Sequence, residues 1–264
     1  GGYFTNKVWK IRKSDMAKVA ESAAYGGYIT TLTQDDEYIY CAGYTTNKVW
    51  KIRKSNMVKV AESADYGGAI NTLTQDDEYI YCGGGSTGTN WKVWKIRKSD
   101  MTKVAESAIY GSLIYALTQD DDYVYCGGYS GNGKVRKIRK SDMSTVAESI
   151  RYGIIYALTQ DNEYVYCGGD NLTVWKIRKS DMSKVAESAS YGGIINALIR
   201  DDKYIYCAGR DVQKVWGLEN MVKVIESFNY GGEIYDLVKD DKYIYCAGAQ
   251  GRIWKMTSQV YIKK

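Results

Sequence analysis

The chain contains no histidine and no proline, and only two of its 264 residues are phenylalanine. Without histidine the commonest general base and metal ligand is missing, so Ser-His-Asp catalysis and histidine-metal chemistry are excluded. Without proline there is no Pro-rich linker to divide the chain, and a single domain over residues 1–264 is expected. No apolar run approaches the roughly 20 residues that a membrane-spanning helix needs. Gly1-Gly2-Tyr3 carries neither the basic start nor the apolar stretch of a secretory leader. The net charge of +5 is mild for this length. Acidic and basic residues recur together instead of gathering on one face, so no nucleic-acid partner is expected.

What fills the chain is repetition. Residues 48–57 read KVWKIRKSNM and residues 92–101 read KVWKIRKSDM, while Cys41, Cys82, Cys126, Cys167, Cys207 and Cys246 recur at intervals of 39 to 44 residues. A unit of roughly 40 to 45 residues holding four short strands is what a β-propeller blade requires. One copy shows the reading. Ile114-Tyr115-Ala116-Leu117-Thr118 is a first strand, broken by the turn residues Gln119-Asp120-Asp121-Asp122. Tyr123-Val124-Tyr125-Cys126 is a second, stopped by Gly127-Gly128. Lys134 to Lys140 forms a third, and Ser141-Asp142-Met143 turns the chain into a fourth around Thr145 to Glu148. A helix over Met101 to Ala108 is the rival for a fourth strand, but so short an isolated helix is marginal.

Ring symmetry bears on the cysteines. With the innermost strand roughly 6 Å from a six-fold axis and the next about 4.8 Å further out, equivalent second-strand residues lie about 11 Å apart. A disulfide needs Cα atoms within about 7 Å. Six reduced, buried thiols packing as small hydrophobes are therefore expected, with no metal site and no cofactor. Such thiols fit a reducing compartment or an anaerobic source.

First and second strands number six, but third strands number seven, beginning at Val8, Val49, Val93, Val135, Val174, Val215 and Ile253. In one arrangement Ala17 to Ser22 supplies the outer strand of the blade begun by Glu233, so that the two ends of the chain interlock. In the other the N-terminal half-blade stays open, and its unpaired edge recruits another chain into an oligomer. The expectation is the first: an all-β, monomeric, six-bladed propeller with four antiparallel strands per blade, its ring closed by the N- and C-terminal segments.

Tyr79-Ile80-Tyr81-Cys82, a glycine-rich loop and then Lys92-Val93-Trp94-Lys95-Ile96 resemble the YVTN-type and WD-repeat propellers over nearly the whole chain. The Gly-His and Trp-Asp dipeptides of WD repeats are missing. The resemblance implies an interaction or surface-recognition scaffold and carries over no catalytic residue. A bacterial or viral surface-recognition role is compatible with the amplified repeats.

Comparison among the copies supplies the candidate site. The turns around Tyr25-Gly26 and its equivalents vary, as do the loops between second and third strands, and antiparallel order puts both sets at one end of every blade. The turns at the other end, QDDE-like and RKSDM, hardly change. Next to the variable end a channel-lining position reads Thr30, Asn71, Tyr115, Tyr156, Asn196 and Tyr235. Loops on a rigid frame are where scaffolds bind, so a glycan or a partner protein is expected at this face; drift in unconstrained loops gives the same pattern. Trp91 sits in the longest loop, with a face to stack on a sugar, or serves to cover a gap. Arg151, Arg210, Asp211, Glu233 and Asp236 are charges where other copies carry small or apolar residues, and Arg136 stands where the others carry tryptophan. Propeller glycosidases, lactonases and lyases need two inward acids at fitting separation. Only Asp236 and Glu233 qualify, both in one blade, and a non-catalytic protein is expected.

Overall fold

The computed structural model describes residues 6–85, 91–129 and 133–257. It is all-β, with no helix among those residues. The N-terminal strands are β1 (Trp9–Ile11) and β2 (Lys18–Glu21). They are followed by β3 (Ile29–Gln34), β4 (Tyr38–Gly43), β5 (Trp50–Arg53) and β6 (Lys59–Glu62), then β7 (Ile70–Gln75), β8 (Tyr79–Gly84), β9 (Trp94–Arg97) and β10 (Lys103–Glu106). The third repeat holds β11 (Ile114–Gln119), β12 (Tyr123–Gly128), β13 (Arg136–Arg139) and β14 (Thr145–Glu148). The fourth holds β15 (Ile155–Gln160), β16 (Tyr164–Gly169), β17 (Trp175–Arg178) and β18 (Lys184–Glu187). Next come β19 (Ile195–Arg200), β20 (Ile205–Gly209), β21 (Trp216–Glu219) and β22 (Val222–Glu226), and last β23 (Ile234–Lys239), β24 (Tyr243–Gly248) and β25 (Ile253–Thr257).

Each repeat is one antiparallel sheet with its strands in sequence order, and the six repeats make a six-bladed β-propeller, the expected fold class. The segment 101–108 with helical composition is a strand, β10, held by Lys103 opposite Ile96 and Glu106 opposite Trp94. The chain groups into two compact units, residues 1–126 with 137–146 and residues 127–136 with 147–264.

The N-terminal segment forms a two-stranded sheet of its own among the described residues. Residues 17–22 do not complete the last sheet: β2 pairs with β1, Trp9 opposite Glu21 and Lys10 opposite Ala20. The last sheet has three strands among the described residues, β23, β24 and β25. Ile253–Thr257 fills the place beside β24, and the N-terminal third and fourth strands, adjacent in sequence, close on each other at the lowest loop-closure cost.

The repeated residues hold each blade by a fixed set of bonds. The second strand is buried on both faces, Tyr81, Cys82 and Gly83 in β8 being representative, which is why its sequence is apolar without alternation. All six cysteines are buried thiols, as expected. A serine after the fourth strand closes it onto the third: Ser107 Oγ accepts from the Val93 N–H at 2.9 Å, and the same bond recurs at Ser63, Ser149 and Ser188. The tyrosine of the variable turn is structural. Tyr66 donates its hydroxyl to Lys92 O at 2.6 Å and packs edge-on against Trp94. The methionine of the RKSDM turn adopts a left-handed backbone, φ 59° at Met101, and is buried, so side-chain burial offsets a conformation that costs a non-glycine residue about 1 kcal/mol or more.

Candidate functional site

The repeated-turn end gathers charged and aromatic side chains around a cavity. In each QDDE-like turn the first aspartate folds the loop. Asp76 Oδ1 accepts from the Glu78 and Tyr79 amides at 3.1 and 2.8 Å, and Oδ2 accepts from the Tyr81 hydroxyl at 2.9 Å. Asp35 does the same with Tyr38 and Tyr40. Short polar side chains that bond their own downstream backbone make such turns. Burial works against the charged form of Asp76, but the Lys140 ammonium, the Tyr79 amide and the Tyr81 hydroxyl outweigh it and hold its pKa below the usual carboxylate value.

The lysine that ends the third strand reaches across to the preceding blade in the second and third repeats. Lys140 is only 7% exposed; its Nζ lies 3.0 Å from Asp76 Oδ2, and it also donates to Gln119 Oε1. Lys98, 8% exposed, stands 3.4 Å from Asp35. Lysines one turn earlier add a second tie between blades: Lys51 Nζ donates to Lys98 O at 2.8 Å and Lys95 Nζ to Lys140 O at 2.9 Å. Lys95 also stands over the Tyr79 ring, 4.0 Å from its centroid.

These turns surround a cavity of about 1000 Å³ in the first unit. Gln34, Gln75 and Gln119 mark its three contributing blades, and Tyr79, Tyr81 and Tyr123 add aromatic surface. Gln75 Oε1 is buried without a hydrogen-bond partner. Lys98 and Lys140 are engaged by Asp35 and Asp76, and Arg139 by Asp142 at 3.2 Å. Asp36, Asp77, Glu78, Asp121 and Asp122 also line the cavity. The lining is thus acidic once its internal pairs are counted, although the chain as a whole is basic. No group of three or more metal-ligating side chains is placed together among the described residues.

The residues singled out at the variable end have other placements. Thr30 Oγ1 donates to Ile70 O at 2.6 Å, Asn71 Nδ2 to Ile114 O at 3.1 Å and Asn196 Nδ2 to Ile234 O at 3.1 Å. Each is a clip from one blade to the next. Tyr115 and Tyr156 are half-buried at the equivalent place, and Trp91, half-buried, follows residues 86–90, which lie outside the described residues. Its carbonyl accepts from the Tyr110 amide at 2.6 Å. Arg136 in the tryptophan position bonds Glu148 on the neighbouring strand at 2.8 Å. Arg151 is exposed, and Asp211 is exposed with a left-handed φ of 67°.

One group in the second unit does come together. The Tyr235 hydroxyl donates to Glu233 Oε2 at 2.9 Å, and Arg210 Nε lies 4.0 Å from the same oxygen. Asp236 stands apart from it, bonded to the Leu237 amide. Its side chain keeps solvent access while surrounding protein crowds the carboxyl, and that desolvation pushes its pKa up to about 6.

In the sequence the cavity residues are simply acidic and basic residues that recur together in every unit. A signal for their cross-blade role is nevertheless present. Where Asn220 replaces the third-strand lysine, Arg200 replaces the glutamine of the same blade, and Arg200 lies close enough to lower the pKa of Asp161 in the preceding blade. In the last blade Lys239 occupies that glutamine position and stands 3.6 Å from Asp201. A cation from the following blade is kept near Asp35, Asp76, Asp161 and Asp201 while its position in the chain changes.

No protein-family model matches the chain, and no curated protein matches its sequence. Solved structures do match in fold. The WD40 β-propeller domain of Doa1 superposes with a TM-score of 0.79 at 9% identity, over 97% of this chain and 86% of that one. The computationally designed Ika8 protein superposes with a TM-score of 0.76 at 14% identity, over 95% of this chain and 77% of that one. At such identities the likeness concerns the fold alone, and the fold is that of a WD-repeat-like β-propeller built from repeated blades.

Proposed function

We propose that the chain is a non-catalytic binding scaffold and that its principal ligand is a partner protein presenting a basic segment to the repeated-turn end of the first unit. The observation that carries this reading is the 1000 Å³ cavity with its surplus of carboxylates. Lysine or arginine side chains entering it meet Asp36, Asp77 and Asp121 as acceptors, and Gln75 Oε1 receives a donor. Charge complementarity of this kind steers encounter and selects partners.

A second reading, recognition of a glycan at the variable end, is favoured by Tyr235, Glu233 and Arg210, an aromatic ring beside paired polar groups, with Trp91, Tyr115 and Tyr156 as further stacking surfaces. Asn71, Asn196, Arg151, Asp211 and Asp236 belong to this surface as well. Catalysis at Asp236 with Glu233 is the contrasting class.

A peptide and glycan array separates the three. Selective capture of basic peptides, weakened as salt rises, supports the first reading. Capture of glycans alone replaces it with the second. Hydrolysis or elimination of a captured ligand, abolished by Asp236→Asn or Glu233→Gln, replaces both with an enzyme.

A further inference from the structure

Tyr79, Tyr81 and Tyr123 line the acidic cavity, and an open aromatic face is what a cation without N–H groups needs. In this cavity those faces are taken by the chain itself. The Lys95 ammonium stands 4.0 Å from the centroid of Tyr79 and the Lys137 ammonium 3.9 Å from that of Tyr123. Lys140 lies 5.4 Å from the centroid of Tyr81. All three distances fall within the roughly 6 Å over which a ring attracts a cation.

The rings are closed from other directions as well. Tyr81 is buried in a core cluster with Val93, Tyr110 and Ile114, and Tyr79 packs against the same cluster. Tyr123 meets the ring of Tyr125, with centroids 6.5 Å apart. Two of the covering lysines are themselves anchored: Lys95 Nζ donates to Lys140 O at 2.9 Å, and Lys140 Nζ lies 3.0 Å from Asp76 Oδ2. A ligand cation approaching one of these rings therefore meets a fixed like charge, which repels it.

The cover recurs in other repeats, with Lys51 over Tyr38 at 4.1 Å, Lys176 over Tyr164 at 3.8 Å and Lys255 over Tyr243 at 4.0 Å. In the fifth repeat Gly217 stands where the others carry this lysine. There Lys203, in the turn position held by Glu37, Glu78, Asp122 and Glu163 elsewhere, stands 4.9 Å from the centroid of Tyr204. A lysine covers this tyrosine even where the third strand cannot supply it.

What the cavity offers a ligand is carboxylate, from Asp36, Asp77 and Asp121 among others. Carboxylates bond cations through N–H groups. A lysine ammonium has such donors; trimethylated lysine keeps the charge and has none. We propose, resting on the reading that this cavity receives a basic segment, that it selects cations by their N–H groups and rejects trimethylated lysine. Lys95 and Lys137 set the choice by occupying the tyrosine faces. Methylation of a partner's lysines then releases it.

Hexalysine and its fully trimethylated counterpart, titrated calorimetrically into the unmodified chain, test this. Trimethylation is expected to weaken binding by about tenfold or more. Lys95→Ala, or Lys137→Ala where the circular dichroism of the first is altered, removes a positive charge and strengthens the binding of either peptide. The informative quantity is thus the ratio of the two affinities, which a change of charge alone leaves as it was. That ratio is expected to narrow by about threefold or more as the ring is uncovered. Equal or tighter binding of the trimethylated peptide to the unmodified chain overturns the proposal, and so does an unchanged ratio in both variants. Binding of neither peptide overturns it together with the reading on which it rests.

Discussion

At the scale of single residues, the distinctive feature is how charged and strained groups are placed. Asp236, peculiar to the last blade, keeps solvent access beside crowding protein. Its pKa is raised to about 6 from an ordinary 3.8, so the folded state holds its proton more tightly than the unfolded one. Its contribution to stability is present below about pH 3.8 and lost as pH rises through 6. Asp236→Asn is therefore expected to unfold at higher denaturant concentration than the unmodified chain at pH 7, with the difference vanishing near pH 4 in urea titrations. Asp35, Asp76, Asp161 and Asp201 act in the opposite sense. Their pKa values are lowered, so they stabilise above the ordinary carboxylate value and that stabilisation fades as pH falls below it. Met101 makes a sharper case. Because it is buried at a φ of 59°, Met101→Ala loses the buried side chain and keeps the strain, a loss of about 3 kcal/mol. Met101→Gly is expected to be less damaging, reversing the usual order; a larger loss for glycine in chemical denaturation would show that the turn is not strained. The cysteines are inert by the same burial, which pushes the Cys82 and Cys207 thiols up to about 12. Six thiols are expected to react after denaturation without reductant and few or none before it.

At the scale of strands and turns, the aspartate-lysine tie between blades is the element that sequence left half-read. The strands themselves were legible: turn residues, Tyr-Ile-Tyr-Cys runs and the recurring Val-x-x-Ile place all four strands of the third repeat to within two residues at either end. What sequence did not show is that the lysine of RKSDM points back into the preceding blade, because an alternating strand pattern says which face a side chain takes and not how far it reaches. The same limit hid that Thr30, Asn71 and Asn196 clip one blade's strand to the next. Removing one partner of the tie leaves a buried charge. Asp76→Asn is expected to cost about 2 kcal/mol, and Lys140→Met added to it is expected to recover most of that loss. Strict additivity of the two substitutions in thermal unfolding would mean that Asp76 and Lys140 do not interact.

At the scale of the molecule, near-identical repeats specify the blade well and the ends poorly. The same third-strand sequence appears seven times for six first strands, so nothing in the pattern itself decides which third strand lies beside β24. Local closure decided it, joining β1 to β2 and β25 to β24. Repetition also conceals the cavity, since residues that recur in every unit do not stand out from one another. The acidic cavity emerges only when three copies of one turn are brought side by side. The most direct measurement is the affinity of the array-selected ligand for two variants, Asp77→Asn with Asp121→Asn, and Trp91→Ala with Arg151→Ala. If the repeated-turn end is the site, the first pair weakens binding by tenfold or more, about 1.4 kcal/mol, and the second by less than about threefold. The reverse ranking would place the site at the variable end and leave the cavity without a role.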